Sequence, residues 1–148
     1  MNPNSTGNDP FDLARFVNAQ QGVYERALAE LRAGRKQTHW MWFIFPQIDG
    51  LGLSSTTKQY AIKSLQEARA YLQHLILGPR LRTCAAAMLG VEGRSAHDIL
   101  GSPDDFKLRS SMTLFSAMTG DTDVFAQVLV RFHGGQRDEK STALMADL

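Results

Sequence analysis

Two stretches of this chain carry side chains that could bind or transform a small molecule. The first runs from Lys36 through THWMWFIFPQ at 38–47 to Ser54, and the second is PDDFKLRSSMTLF at 103–115. Trp40 and Trp42 are flat apolar walls whose indole N–H groups need partners when buried. Lys36 and Lys107 supply positive charge, while His39, Gln47, Ser54 and Ser110 supply polar groups at the edges. An aromatic wall with a few fixed polar groups is the common form of a small-ligand pocket. Asp104 is the candidate acid, base or orienting group. Lys107 and Ser111, four residues apart, have the spacing of a base and a nucleophile on one helix face. That pairing needs a lysine of lowered pKa in a desolvated pocket.

Each of these residues also has a plainer reading. Met41, Phe43, Ile44 and Phe45 suit a core, and His39 suits a cap or a surface position. Ser54 lies in DGLGLSST at 49–56. It reads either as a serine cap after a tight connection or as part of an anion-binding turn. Asp104 and Lys107 can be an exposed pair, and the hydroxyls of Ser110, Ser111 and Thr113 can bond back to their own helix. An unpaired polar group in a core costs about 1–3 kcal/mol. Polar side chains from the two blocks are therefore expected to face a common, partly water-filled cleft. Lys36 or His39 would line one side, with Asp104, Lys107 or Ser111 on the other.

The elements that must position these groups read as helices, and strand alternation is absent. Asp9-Pro10 has the form of a cap with proline at the first helical position, followed by Phe11, Leu13, Phe16 and Val17. Val23, Ala27, Leu28 and Leu31 continue the helical period past a break near Gly22, and Gly34 stops it. Residues 39–45, apolar on nearly every side, are expected to form a buried central helix ended by Pro46. Ser64 and Glu67 have capping-box spacing, and Gly78-Pro79 marks a reset before an alanine-rich helix. Ser95 and Asp98 open a short helix ended by Gly101; Ser102-Pro103 starts the one that carries Leu108, Met112 and Phe115. Gly134-Gly135 closes a further helix, and the tail from Asp138 is helical too. The expected architecture is all-α, a single-domain multihelical array of about seven to nine short helices. Residues 1–8 are expected to be a flexible N-terminus and 9–148 the domain.

Composition excludes several classes. With 148 residues, 43% of them hydrophobic and a formal net charge of +1, the chain suits one folded domain without a general affinity for nucleic acid. The longest apolar run is too short for a membrane span, and Met1 to Asp9 has no signal-peptide pattern. Cys84 is the single cysteine, so a reducing, cytoplasmic setting is expected. His39, His74, His97 and His133 show no metal-ligand spacing, and no dinucleotide, kinase or nucleophile-elbow motif is present. The sequence points to no metal and no cofactor.

GRKQTHWMWFIFPQIDGLG, SLQEARAYLQH with LGPRL, and PDDFKLRSSMTLF together resemble domain-of-unknown-function family 1810, a group of small bacterial proteins that includes a mycobacterial member of known fold. The likeness spans nearly the whole chain, from DPFDLARFVNAQ to GGQRDEKSTALM. It implies a multihelical array and no assigned activity. The calpastatin label sometimes attached to such proteins does not fit, because an inhibitor of that type is a disordered, repeated chain. Polar positions inside the matching blocks, Gln20 among them, stand out where apolar residues would pack more cheaply. A looser likeness of size and build to N-glycosidases acting on nucleotide-like metabolites is analogy alone.

The expected function is binding of a small anionic or nucleotide-derived metabolite, with its hydrolysis left open. Asp104, Lys107 and Ser111 are the catalytic candidates. Lys36, His39, Trp40, Trp42, Gln47, Ser54 and Ser110 are the ligand-binding ones. The competing class is a non-enzymatic protein-interaction module. No nucleic-acid or membrane partner is expected, and the chain should be a monomer or weak dimer.

Overall fold

Short polar side chains cap half of the helices. The computed structural model describes residues 8–148, so the expectation of a flexible N-terminus falls, but for Asn8, outside the described residues. Ten helices follow in chain order: α1 (Ala14–Gln20), α2 (Tyr24–Arg32), α3 (Met41–Ile44), α4 (Ser55–Gln59), α5 (Leu65–Gln73), α6 (Leu77–Leu89), α7 (Ala96–Leu100), α8 (Asp104–Thr119), α9 (Val124–His133) and α10 (Glu139–Ala146). The all-α expectation holds, with ten helices among the described residues where about seven to nine are expected. Among the described residues the one β-type pairing is an isolated parallel bridge between Ile48 and Ile62.

Ser54, Ser64, Ser95 and Asp138 each accept a backbone N–H in the first turn of the helix that follows. Such a cap stabilises a helix by roughly 1 kcal/mol. Ser95 and Asp98 complete a reciprocal capping box, and Gly134, at φ 62°, closes α9 in the left-handed conformation.

Three local expectations are corrected. The first helix starts at Ala14, a turn later than Asp9-Pro10 suggests. The Asp9 carboxylate reaches forward to accept Leu13 N–H at 2.8 Å and Ala14 N–H at 2.9 Å. Glu67 does not reach back to Ser64. Its carboxylate instead accepts Lys63 N–H at 3.0 Å and meets the Arg15 guanidinium at 2.7 Å. Gly78 and Pro79 do not precede a helix but lie inside the first turn of α6. There the missing proline N–H is one of the groups that would lack an intrahelical partner in any case.

The aromatic segment is also corrected. Its helix is only Met41–Ile44, and although Trp40, Met41, Ile44 and Phe45 are buried, Trp42 and Phe43 are half-buried. The central helix is α8, which packs against α5, α7, α9 and α10, and every residue from Ser110 to Ser116 in it is buried. The second long helix, α6, packs against α2, α5 and α9, so α9 touches both long helices. A chain of rings ties four elements together. Phe16 meets Tyr71 edge-on at 5.1 Å, Tyr71 meets Phe115 at 5.5 Å, and Phe115 meets Phe125 at 5.8 Å. All four rings are fully buried, each stabilising the fold by about 1.5–3 kcal/mol relative to exposure.

Polar groups hold the connections. Arg15 donates to the carbonyls of Phe11, Asp12, Gln59 and Ala61 and to Glu67, fixing the 59–61 turn and the start of α5 to α1. Gln20 is buried between the Phe43 carbonyl at 2.8 Å and the Tyr71 hydroxyl at 3.3 Å, so its polarity is used in the core.

The turn between α5 and α6 depends on close backbone approach. A Cβ at Gly78 would stand 2.1 Å from the Leu72 carbonyl oxygen. Backbone cannot move aside as a flexible side chain can. Gly78→Ala should therefore lower stability by about 1–3 kcal/mol or more in urea unfolding, the range for overpacking. A loss below about 0.5 kcal/mol, the size of an ordinary surface change, would mean that this approach is not tight.

Candidate functional site

Glu30 positions the aromatic segment. It falls on the buried side of α2, and its carboxylate accepts four donors from the segment after it. These are Gln37 N–H at 2.8 Å, Thr38 N–H at 3.0 Å, Thr38 Oγ1 at 2.7 Å and Trp40 Nε1 at 2.9 Å. Burial pushes the Glu30 carboxyl up, but the hydrogen bonds from Gln37, Trp40 and Thr38 outweigh it and hold the pKa at about 2. The Trp40 indole is thereby sealed, fully buried with its N–H satisfied.

Lys36 is fixed from the other side. Gly34 ends the α2 turn at φ 75°. Its carbonyl accepts Arg94 Nε at 2.9 Å, and Lys36 N–H donates to the Ile99 carbonyl at 2.7 Å. The 34–36 segment therefore lies along α7, which runs directly into α8. This arrangement brings the two sequence blocks together. Lys36 Nζ stands 3.1 Å from Asp104 Oδ2, and Lys107 Nζ stands 3.6 Å from Asp104 Oδ1. Each ammonium also faces an indole, Lys36 over Trp40 at 5.2 Å and Lys107 over Trp42 at 5.3 Å. Such cation–π contacts are worth about 0.5–2 kcal/mol, more as water is excluded. The Lys36 and Asp104 side chains are 9% and 17% exposed, so this pair is better shielded than a surface bridge.

The other candidates take separate places. His39 is exposed. Ser54 is the α4 cap, its hydroxyl accepting Thr57 N–H at 3.1 Å. The Gln47 carbonyl accepts Ile62 N–H at 2.8 Å beside the isolated bridge. Ser110 Oγ bonds back to the Phe106 carbonyl at 3.2 Å, as Thr113 does to Arg109 at 2.7 Å. Ser111 is different. It lies on the Asp104–Lys107 stripe, fully buried, and its hydroxyl has no hydrogen-bond partner among the described residues. Lys107 is directed to Asp104 and Trp42 rather than to Ser111, so the base–nucleophile geometry is not formed. Trp42, Gln47, Thr57 and Tyr60 border a recess of about 10 Å³, enough for one water at most. A ligand at the two lysines would lie across their face rather than inside a chamber.

Roughly the opposite flank of α8 holds a second polar group. His97 Nδ1 is 3.6 Å from Asp105 Oδ2, and Arg109 is 3.7 Å from Asp138. Burial, and then the Arg109 charge, hold the His133 pKa below its ordinary value, against the opposing pull of Asp105. No group of three or more His, Cys, Asp or Glu among the described residues is arranged to hold a metal ion. No helix among them is long and apolar enough to cross a membrane.

Residues 10–145 match the family described as Protein of unknown function (DUF1810). The chain belongs to this family. Its fold is shared with a crystal structure, that of the conserved hypothetical protein Rv1873 from Mycobacterium tuberculosis. That protein is 54% identical, with a TM-score of 0.90 over 93% of this chain and 99% of that one. No curated protein matches the chain. Neither the DUF1810 description nor the Rv1873 name carries an activity.

Glu30 is the positioning residue that sequence reasoning missed, although a signal was present. It stands three residues after Ala27 and four before Gly34, on the stripe of α2 that the apolar pattern marks as buried. Its depressed pKa has a consequence for stability. The folded pKa of about 2 lies below the reference value of 4.5. The contribution is therefore fully present above about pH 4.5 and is lost as pH falls toward 2. Wild type should exceed Glu30→Gln by on the order of 2–3 kcal/mol at neutral pH. Urea unfolding across the acid range should show the gap closing. A gap as wide at pH 3 as at pH 7 would contradict the assignment.

Proposed function

We propose that this domain binds a small anionic ligand of the nucleotide-derived kind at the Lys36–Asp104–Lys107 face, with Trp42 as its aromatic wall. The observation that carries this is the convergence of two ammonium groups on one carboxylate beside a half-buried indole. The cluster has a surplus positive charge, and its cations are held in place by an aromatic ring each. A phosphate brings several acceptor oxygens to such a pair, and a planar base can lie against Trp42. Of the two tryptophans, Trp42 is the one with surface left to offer, since Trp40 is buried and bonded to Glu30.

Binding is favoured over hydrolysis. Each Asp104 oxygen faces an ammonium, so a role for Asp104 as base would first require its release from both. The proposal includes a reducing, cytoplasmic setting for a chain with one cysteine, buried Cys84, working as a monomer or weak dimer. The protein-interaction alternative draws on Phe106, 54% exposed on α8 with the Arg109 guanidinium 5.8 Å from its ring centre. Arginine and aromatic residues are the common anchors of protein interfaces.

Thermal unfolding with ATP, AMP and inorganic pyrophosphate, with adenosine as the uncharged control, tests the proposal. At a hundredfold excess over Kd a ligand stabilises by about 2.7 kcal/mol, a shift of several degrees for a chain of this size. At least one of the phosphate-bearing compounds should give that shift and adenosine should not. Lys107→Ala should remove the shift while lowering stability without ligand by no more than about 1 kcal/mol. If none of the anions stabilises wild type, or if Lys107→Ala unfolds the protein, the anion site is wrong.

A further inference from the structure

Asp104 stands between the two ammonium groups, where an incoming anion would have to stand. It presents one oxygen to Lys36 at 3.1 Å and the other to Lys107 at 3.6 Å, as a bound phosphate would present two of its own. We infer that Asp104 is a built-in substitute for the ligand's anionic group, displaced when ligand binds and setting how strong an anion must be to enter. This rests on the assignment of the two lysines as the anion site.

The surroundings indicate that Asp104 is not needed there for other work. It is the first residue of α8, but it makes no cap: Pro103 holds the cap position without a side-chain hydrogen bond. Asp105 already supplies a carboxylate to the first turn, where its Oδ1 accepts Phe106 N–H at 2.9 Å. One negative charge near the helix start is enough for a favourable interaction with the helix dipole.

The lysines have anchors of their own. Lys36 is tied through its backbone to Ile99 and lies over Trp40, while Lys107 lies over Trp42. Both ammonium groups can therefore keep their places when the carboxylate swings away. The stripe also retains one unused neutral donor. Ser110, Thr113, Ser116 and Thr119 all return their hydroxyls to carbonyls of α8. Ser111 alone among these does not, though it is fully buried one turn beyond Lys107. Enclosed as it is, this hydroxyl lies behind the face on which a ligand would rest.

An internal anion of this kind makes the site selective. A singly charged carboxylate or chloride gains little by replacing Asp104, because it makes the same contacts and must also be brought from solution. A group with two negative charges gains more from the pair of ammonium groups and prevails. The site should therefore discriminate by charge more steeply than two free lysines would.

The test is titration of inorganic pyrophosphate into wild type, Asp104→Asn, Asp104→Ser, Lys107→Ala and the double variant Asp104→Asn with Lys107→Ala. Tryptophan fluorescence and melting temperature are the readouts. Asp121→Asn removes one negative charge at an exposed position on a different ion pair, and serves as the control for net charge. Asp104→Asn and Asp104→Ser should bind pyrophosphate at least tenfold more tightly than wild type. The double variant should lose that gain, and Asp121→Asn should bind as wild type does. If Lys107→Ala weakens binding but neither Asp104 variant strengthens it, the anion site stands and the substitute role is overturned. An equal gain in Asp121→Asn overturns it as well, since the effect is then one of overall charge. If neither wild type nor any variant binds pyrophosphate, this inference is overturned, and ATP and AMP decide whether the anion site itself stands.

Discussion

A single carboxylate, Glu30, determines where the aromatic segment can lie. A buried anion with no cation beside it is costly unless donors surround it, and here four donors come from residues 37–40. The connection leaving α2 is thereby folded back onto the helix it has just left. Trp40 is turned inward, and Lys36, just before the segment, is left facing its ring. If Glu30 lost these donors, the Trp40 indole would lose its N–H partner, and Lys36 would be held only by its backbone bond to Ile99 and its ion pair with Asp104. The pKa of about 2 is the electrostatic signature of this arrangement: hydrogen bonds to the charged form have overcome the burial that opposes it.

The rest of the fold places α8 opposite that segment. Two long helices share α9 as a neighbour, and a line of four rings from Phe16 to Phe125 runs through the core. Being enclosed along much of its length, α8 must satisfy its polar groups internally, and it does so mostly by bonding hydroxyls to carbonyls one turn back. At its N-terminal end the enclosure stops. There Asp104 and Lys107 project toward Lys36 and Trp42, and the charged residues gather where the helix emerges from the core.

The same ion pairs serve both as fasteners and as a candidate recognition surface, and these roles have different energetics. A shielded pair contributes modestly to stability because desolvation offsets much of the attraction. Its value for recognition lies in holding charges at fixed separation, so less ordering is required when a ligand arrives. The absence of room beside Trp42 for more than a water places any ligand on the face of the cluster. Affinity would then come from charge and one aromatic wall rather than from enclosure. Membership in the DUF1810 family and the likeness to Rv1873 fix the fold and leave this chemistry to be established by binding.

The sequence by itself determined the helical class, most of the caps, and the stops at Gly34, Gly101 and Gly134. These features arise from residues within one turn of each other, through periodicity, side-chain capping and the backbone freedom of glycine. It also singled out the two blocks that carry the charged and aromatic groups, because polar residues among apolar ones need partners. Only the tertiary structure decided which partners they found. Trp40 and Trp42 are two residues apart and look alike in sequence, yet one is sealed by Glu30 and the other is half-buried beside Lys107. Ser110 and Ser111 are neighbours, yet only Ser110 bonds back to its helix. Asp104 meets Lys36 across 68 positions of sequence because Gly34, Lys36 and Ile99 lay the α2 exit along α7. Such pairings depend on how helices pack, and packing is set by the shape of the whole core rather than by any local run of residues.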